Sequence, residues 1–292
     1  MAHFEFNRKT RDGLIVYGQG WNPDTPVKAA VCLIHGVGEH SSRYAHVGDF
    51  LNQHQYALFT FDHRGHGKSQ GRRGHISCCE TALADIEDHL NLAEEKYPGV
   101  PRFLYGHSMG GNLVINYGLR KQPRLSGIVA TAPMLRLAFE PSKLKKMTAR
   151  LMIKYWPTLS LSNGLNTEDI SRDPEVVKRY DKDPLTHDRV TPCFLNLIQA
   201  GEWALDHASE FALPLLVMHG SQDHITSAEN SRRFAEAAGE CCRLMIWDGL
   251  YHEIHNEPEK AQVLGTMVKW MDEQLEKQNV KTRLKNQETR KK

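Results

Sequence analysis

The sequence predicts an α/β fold with a mostly parallel central sheet, helices on both faces and an inserted helical cap. Up to about residue 131, short apolar runs alternate with helical patterns, and this alternation is typical of a parallel sheet covered on both faces. About 80 residues then separate two buried strand patterns, which is too long for a simple connection and indicates an insertion.

The first half of the chain supplies most of the predicted sheet. An Asp12-Gly13 turn signal joins an antiparallel pair of strands. The later apolar runs are too short for helices and therefore predict buried strands. The predicted strands cover 3–8, 14–21, 29–34, 56–61, 102–105 and 127–131, and the helices between them cover 44–52, 81–96 and 109–120.

The second half divides into the cap and the rest of the core. Strands are predicted over 214–219 and 243–247, and helices over 142–156, 171–180, 227–238 and 258–276. We therefore expect core regions at 1–133 and 211–276, a helical cap at 134–210, and a disordered basic tail at 277–292.

Composition and charge exclude several classes of function. A net charge of +2 gives no nucleic-acid-binding footprint, and the charge of the tail is expected to be solvated. The six cysteines include two adjacent pairs, Cys78-Cys79 and Cys241-Cys242, which rarely form disulfides and fit no metal-binding spacing. Residues 1–9 contain no apolar leader segment. We expect a cytoplasmic protein without a metal or cofactor; its oligomeric state is unknown.

A sharp turn carries the candidate nucleophile. Gly106-His-Ser-Met-Gly110 fits G-x-S-x-G and lies between a predicted strand and a predicted helix. Both glycines are needed because a serine on a strained turn is crowded two residues to either side. The turn also directs the backbone N–H of Met109, at a helix N-terminus, toward Ser108. The pattern predicts a nucleophilic serine with Met109 as one donor to an oxyanion.

A second glycine loop follows the strand at 29–34. His35-Gly-Val-Gly38 allows the backbone to approach a ligand closely, and Val37 N–H is the candidate second oxyanion donor.

The remaining catalytic candidates follow later strands. Asp223 comes just after the strand at 214–219, and His252 lies in the loop after the strand at 243–247. Carboxyl ends of parallel strands meet at one edge of a sheet, so both should lie near Ser108. The chain order Ser–Asp–His is that of α/β-hydrolases. We predict that His252 is the base and that Asp223 orients it.

Two other stretches resemble functional motifs but do not match them fully. Gly65-His-Gly-Lys-Ser69 resembles the end of a phosphate-binding loop, but Asp62 stands where the first glycine is required. His252-Glu-Ile-His255 is one residue short of the zinc-protease motif.

Several of these stretches together resemble the monoacylglycerol lipase family, from about residue 3 to residue 275. They are His35-Gly-Val-Gly-Glu-His-Ser-Ser-Arg-Tyr44, Asp62-His-Arg-Gly-His-Gly-Lys-Ser69, the Ser108 turn, the cap segment 171–185 and Tyr251-His-Glu-Ile-His255. The resemblance implies an α/β-hydrolase that cleaves monoacylglycerol to glycerol and fatty acid. It also implies that Glu39, Arg43, His255 and the cap residue Tyr180 bind the glycerol head group.

Alternatives remain open at this stage. The same triad would serve a lysophospholipase, a general carboxylesterase or a serine peptidase, and the fold alone would also suit a non-catalytic scaffold. The predicted helix at 142–156 has Leu144, Met147, Leu151 and Tyr155 on one face. That face either contacts an acyl-lipid surface at the membrane or packs on the core.

Overall fold

This computed structural model describes residues 2–139 and 142–290; the side chains of residues 143, 145, 146 and 281–290 lie outside the description. Within that part the chain forms ten strands, β1 (Ala2–Lys9), β2 (Ile15–Asn22), β3 (Ala29–Ile34), β4 (Tyr56–Phe61), β5 (Arg102–His107), β6 (Gly127–Thr131), β7 (Leu161–Ser162), β8 (Arg189–Val190), β9 (Leu215–Gly220) and β10 (Cys242–Trp247). The helices are α1 (Ala45–Gln53), α2 (Cys79–Lys96), α3 (Met109–Lys121), α4 (Lys143–Tyr155), α5 (Pro174–Lys182), α6 (Phe194–Asp206), α7 (Ala228–Ala238) and α8 (Lys260–Arg290).

Eight of these strands form one sheet in the order β1-β2-β4-β3-β5-β6-β9-β10. β2 pairs antiparallel with both β1 and β4, and the other neighbours are parallel. The prediction of a mostly parallel sheet is confirmed. The parallel order brings the carboxyl ends of β3, β5, β6, β9 and β10 to one edge, where the candidate residues lie.

Both faces of the sheet are covered by apolar side chains. Leu83 of α2 and Leu113 of α3 belong to the core on one face. Leu51 of α1 and Met267 of α8 belong to the core on the other. Every residue of β3 and β4 is buried, which explains why these strands read as continuous apolar runs rather than alternating patterns.

The segment between β6 and β9 contains α4, α5 and α6 and the short pair β7–β8. We call residues 134–210 the cap. Helix α5 begins at Pro174, and the Asp173 side chain accepts a hydrogen bond from Glu175 N, as the sequence leads one to expect for a capped helix. Helix α6 packs so closely on the start of the cap that Gly201 has no room for a Cβ beside the carbonyls of Met134 and Leu135.

Most helix boundaries differ from the predicted ones by one to three residues, and the end of α8 differs by more. Helix α2 begins two residues before the predicted Thr81. Helix α8 continues to Arg290, whereas the predicted helix ends at residue 276. Residues 277–290 contain no glycine or proline and are rich in Lys, Arg and Gln, so nothing in them terminates a helix. Residues 291–292 lie outside the described part.

Candidate active site

The turn between β5 and α3 places Ser108 in the left-handed region of backbone conformation, with φ of 55° and ψ of −116°. A side chain rarely adopts this φ, and such strain is typical of functional turns. A Cβ on Gly106 would overlap the carbonyl of Gly110, and one on Gly110 would overlap the carbonyl of Ile34. These close backbone contacts therefore account for the predicted need for glycine at both positions. Ser108 itself is only 6 % exposed.

Asp223 and His252 meet beside this turn. His252 Nδ1 lies 2.7 Å from Asp223 Oδ2. The ring of His107, the residue before Ser108, packs against the His252 ring with centroids 4.8 Å apart. The structure thus brings the ends of β5, β9 and β10 together. Asp223 Oδ1 accepts hydrogen bonds from the backbone of Ile225 and Thr226, which fixes the carboxylate.

The electrostatics of the pair favour a basic imidazole. Burial alone would raise the pKa of Asp223, but the neighbouring His252 and hydrogen bonds from His219 and His252 hold it well below its usual value. Burial would lower the pKa of His252, and the Asp223 carboxylate outweighs that effect, so the net shift is upward. An ionised carboxylate beside a histidine of raised pKa is the arrangement that a general base requires.

Two residues that the sequence did not single out also hold Asp223. The Thr226 hydroxyl donates to Asp223 Oδ2 over 2.9 Å, and His219 Nε2 lies 3.0 Å from the same oxygen. Both are fully buried. Thr226 lies three residues after Asp223, and because this spacing is equally typical of a turn or a helix cap it indicates the contact only weakly.

The loop that carries Val37 lies against the serine turn. A Cβ on Gly36 would sit 3.2 Å from Ser108 Cβ, and Gly38 has φ of 75°. We call residues 35–39, which carry the predicted oxyanion donor Val37, the oxyanion loop. Met109 is the first residue of α3, so the two predicted donors lie on elements that both border Ser108.

Glu39 and Arg43 form a buried ionic network with Glu253, which the sequence analysis did not identify. Arg43 donates to both oxygens of Glu253 over 2.6 Å each and to Glu39 Oε2 over 2.8 Å. Glu39 Oε1 accepts from Gly36 N over 2.6 Å and from the Tyr44 hydroxyl over 2.8 Å. Burial raises the pKa of Glu39, whereas the Arg43 charge outweighs burial at Glu253 and lowers its pKa.

The other two predicted head-group residues differ in their surroundings. His255 is fully buried, stacks on Tyr44 with centroids 4.9 Å apart, and has no hydrogen-bond partner for either ring nitrogen among the described residues. Burial keeps its pKa well below the usual value. Tyr180 lies under the Arg43 guanidinium and donates a hydrogen bond to the Gly38 carbonyl. The head-group role of these residues stays a prediction.

Arg43 and Tyr180 also border a cleft of about 370 Å³ between the cap and the core. Its other lining residues include His40, His46 and Lys260.

No group of three or more His, Cys, Asp or Glu side chains suited to a metal ion occurs in the described part of the chain. The helices described there also include none long and apolar enough to cross a membrane.

Comparison with known proteins agrees with this geometry. Residues 25–259 match the family model described as serine aminopeptidase, S33. The monoacylglycerol lipase of Mycolicibacterium smegmatis is 35 % identical over 254 residues, which cover 86 % of this chain and 90 % of that protein. The chain belongs to the monoacylglycerol lipase family. The family resemblance seen in the sequence and the α/β-hydrolase fold are both confirmed.

Two further members are similar over most of their length. The human monoglyceride lipase is 31 % identical over 253 residues, covering 84 % of this chain and 82 % of that protein. The crystal structure of the Paleococcus ferrophilus monoacylglycerol lipase has a TM-score of 0.82 at 34 % identity and covers 89 % of this chain and 99 % of that one.

Proposed function

We propose that this protein hydrolyses monoacylglycerol to glycerol and a free fatty acid through an acyl-enzyme on Ser108. The observation that carries the proposal is the 2.7 Å contact between His252 and Asp223 at the sheet edge that also holds the Ser108 turn. Membership in the monoacylglycerol lipase family supports the substrate class.

Acylation begins when His252 Nε2 takes the proton of Ser108 Oγ, which then attacks the ester carbonyl carbon. The carbonyl oxygen becomes an oxyanion that accepts hydrogen bonds from Val37 N–H and Met109 N–H. The imidazolium, stabilised by Asp223, gives its proton to the glycerol oxygen as the C–O bond breaks. Glycerol leaves, and the acyl group remains esterified to Ser108.

Deacylation repeats these steps with water as the nucleophile. His252 takes a proton from water, the resulting hydroxide attacks the acyl carbonyl, and the proton returns to Ser108 Oγ as the fatty acid leaves. The cycle uses no redox step, and the groups named here carry every proton that moves.

The exposed face of α4 supports contact with a lipid surface. Four side chains on one face of this helix are more than half exposed: Leu144, Met147, Leu151 and Tyr155. In contrast, Met152 and Ile153 are partly buried, so the helix presents its apolar stripe outward. Exposed Arg150 and Lys154 supply positive charge on the same helix. An outward apolar stripe with basic neighbours suits peripheral binding to a membrane that holds the substrate.

A substrate panel tests the proposal. Purified protein and a Ser108→Ala variant are compared on long-chain monoacylglycerol, lysophosphatidylcholine, a short p-nitrophenyl ester and a proline amide. We expect monoacylglycerol to have the highest kcat/KM, and Ser108→Ala to lose several orders of magnitude with an unchanged melting temperature. Preference for lysophosphatidylcholine, the short ester or the amide would overturn the substrate assignment. Full turnover by the folded Ser108→Ala variant would overturn the mechanism.

A further inference from the structure

The oxyanion loop has little intrinsic rigidity. Val37 lies between Gly36 and Gly38, and glycine restricts the backbone less than any other residue. An oxyanion donor is effective only when it is already aimed at the position where charge develops. If Val37 N–H is such a donor, as the proposed function requires, other groups must fix this loop.

Glu39 holds the loop from the core side. Its Oε1 accepts the Gly36 N–H over 2.6 Å, which closes a short ring within the loop itself. The same oxygen accepts from the Tyr44 hydroxyl, and Oε2 accepts from Arg43. Glu39 is 2 % exposed, and three donors of the protein already engage its two oxygens. The carboxylate is therefore directed at the loop backbone.

Arg43 connects this support to the catalytic histidine. It forms two hydrogen bonds of 2.6 Å with Glu253, the residue that follows His252. The oxyanion loop and the histidine loop are thus joined through one guanidinium, whose side chain is 10 % exposed. A displacement of either loop would break charge-assisted hydrogen bonds at the other.

The cap holds the loop from the opposite side. The Gly38 carbonyl accepts a hydrogen bond from the Tyr180 hydroxyl over 3.1 Å and another from His187 N over 2.9 Å. A Cβ on Gly38 would overlap the His187 carbonyl, so the cap is in close contact with the loop. The Tyr180 ring also packs on Arg43, with the guanidinium carbon 4.7 Å from the ring centroid.

We propose that Glu39 and Tyr180 are positioning residues that fix the oxyanion loop, Glu39 through Gly36 and Tyr180 through Gly38. This role differs from the head-group contact that the family resemblance implies, and it rests on the proposed function of Val37. The orientation of the oxyanion donor then also depends on the position of the cap, because Tyr180 belongs to the cap helix α5.

Two substrates with the same acyl chain separate positioning from head-group binding. One is a monoacylglycerol and the other is a p-nitrophenyl ester, which has no glycerol. An oxyanion forms in both reactions, so a positioning residue lowers kcat on both by the same factor with little change in KM. A head-group contact would instead raise KM for the monoacylglycerol alone.

The variants are Glu39→Ala, Glu39→Gln and Tyr180→Phe. Removal of a whole oxyanion donor costs about 100- to 1,000-fold in kcat. For a donor that is only misaligned we expect about 10- to 100-fold in Glu39→Ala and a smaller, equal loss on both substrates in Tyr180→Phe. Glu39→Gln keeps an oxygen for Gly36 N–H and should recover most of the activity that Glu39→Ala loses.

A long-chain alkyl trifluoromethyl ketone reports on the oxyanion interaction without any contribution from a head group. It forms an oxyanion adduct with the serine but carries no head group, so its affinity should fall in parallel with kcat across the variants. The matched control is Tyr97→Phe, which removes a tyrosine hydrogen bond to Asn22, the last residue of β2. That variant should keep wild-type kcat and ketone affinity.

The proposal is overturned if the losses are confined to monoacylglycerol, or if ketone affinity is unchanged while kcat falls. Melting temperatures identify any variant that fails to fold. If Glu39→Ala fails to fold, the test rests on Tyr180→Phe, which deletes only one oxygen atom. Loss of all activity in Ser108→Ala together with unchanged Tyr180→Phe and Glu39→Ala would reject the positioning role and keep the proposed function.

Discussion

Replacing Arg43 by methionine should destabilise the protein strongly and in a pH-dependent manner. The substitution removes three hydrogen bonds and leaves Glu39 and Glu253 buried without their shared cation. Breaking a buried ion pair by removing one partner costs about 3–5 kcal/mol, because an uncompensated charge remains inside. For a domain of this size that corresponds to a fall of about 10 °C in Tm.

The sign of the pH dependence follows from the two carboxyl groups. In the wild type the pKa of Glu253 is lowered by Arg43, so its contribution to stability is present above the unfolded pKa of about 4.3 and is lost as pH falls. In Arg43→Met both carboxyls are buried without a cation and their pKa values rise, so the cost increases with pH. The stability difference should therefore be small near pH 4 and largest near pH 7.

Urea unfolding followed by far-UV circular dichroism, at several pH values between about 4.5 and 7.5, measures this difference. The control is Arg11→Met, since Arg11 also pairs with two carboxylates, Glu87 and Asp88, but its side chain is 56 % exposed. That exposed arrangement should contribute about 1 kcal/mol or less. Equal losses in the two variants, or a difference independent of pH, would refute the reasoning about the buried network.

Two further predictions concern chemistry and membrane binding. The acid limb of the kcat/KM profile should lie above pH 6.5, the ordinary histidine value, because Asp223 raises the pKa of His252. Asp223→Asn should shift this limb to lower pH and reduce kcat by about 10⁴-fold. A limb that does not shift in the variant would contradict the assignment of His252 as the base. Leu144→Ser with Leu151→Ser should weaken sedimentation with phospholipid vesicles and spare hydrolysis of a soluble ester. Val280→Ser, at an apolar residue on α8 that is also more than half exposed, should change neither property. Parallel loss of both properties in the α4 variant would favour a packing role for α4.

Local pattern predicted the sheet and the Ser108 turn because both are encoded over short stretches of sequence. Alternating apolar runs mark strands, and the two glycines at Gly106 and Gly110 are required by contacts within the turn and with its neighbouring strand. The positions of Asp223 and His252 followed from the rule that parallel strands end at one edge.

The parts that were missed depend on contacts between distant residues. Glu253 pairs with Arg43 across 210 positions, which no local periodicity reveals. Helix α6 begins with Phe-Leu-Asn-Leu-Ile and packs on both the sheet helices and the cap, so its apolar pattern is too broad for a clear amphipathic signal. The continuation of α8 past residue 276 was missed because residues 277–290 are highly charged and lack an apolar stripe, although they have good helix propensity.

The contact of Gly201 with Met134 and Leu135 has a consequence for how this protein family can diversify. It brings the two ends of the intervening segment, residues 136–200, together on the core. When the ends of a loop are already adjacent, doubling its length costs only about 0.6 kcal/mol in closure entropy. Residues 136–200 can therefore be shortened, extended or exchanged between homologues while the strands of the sheet keep their register.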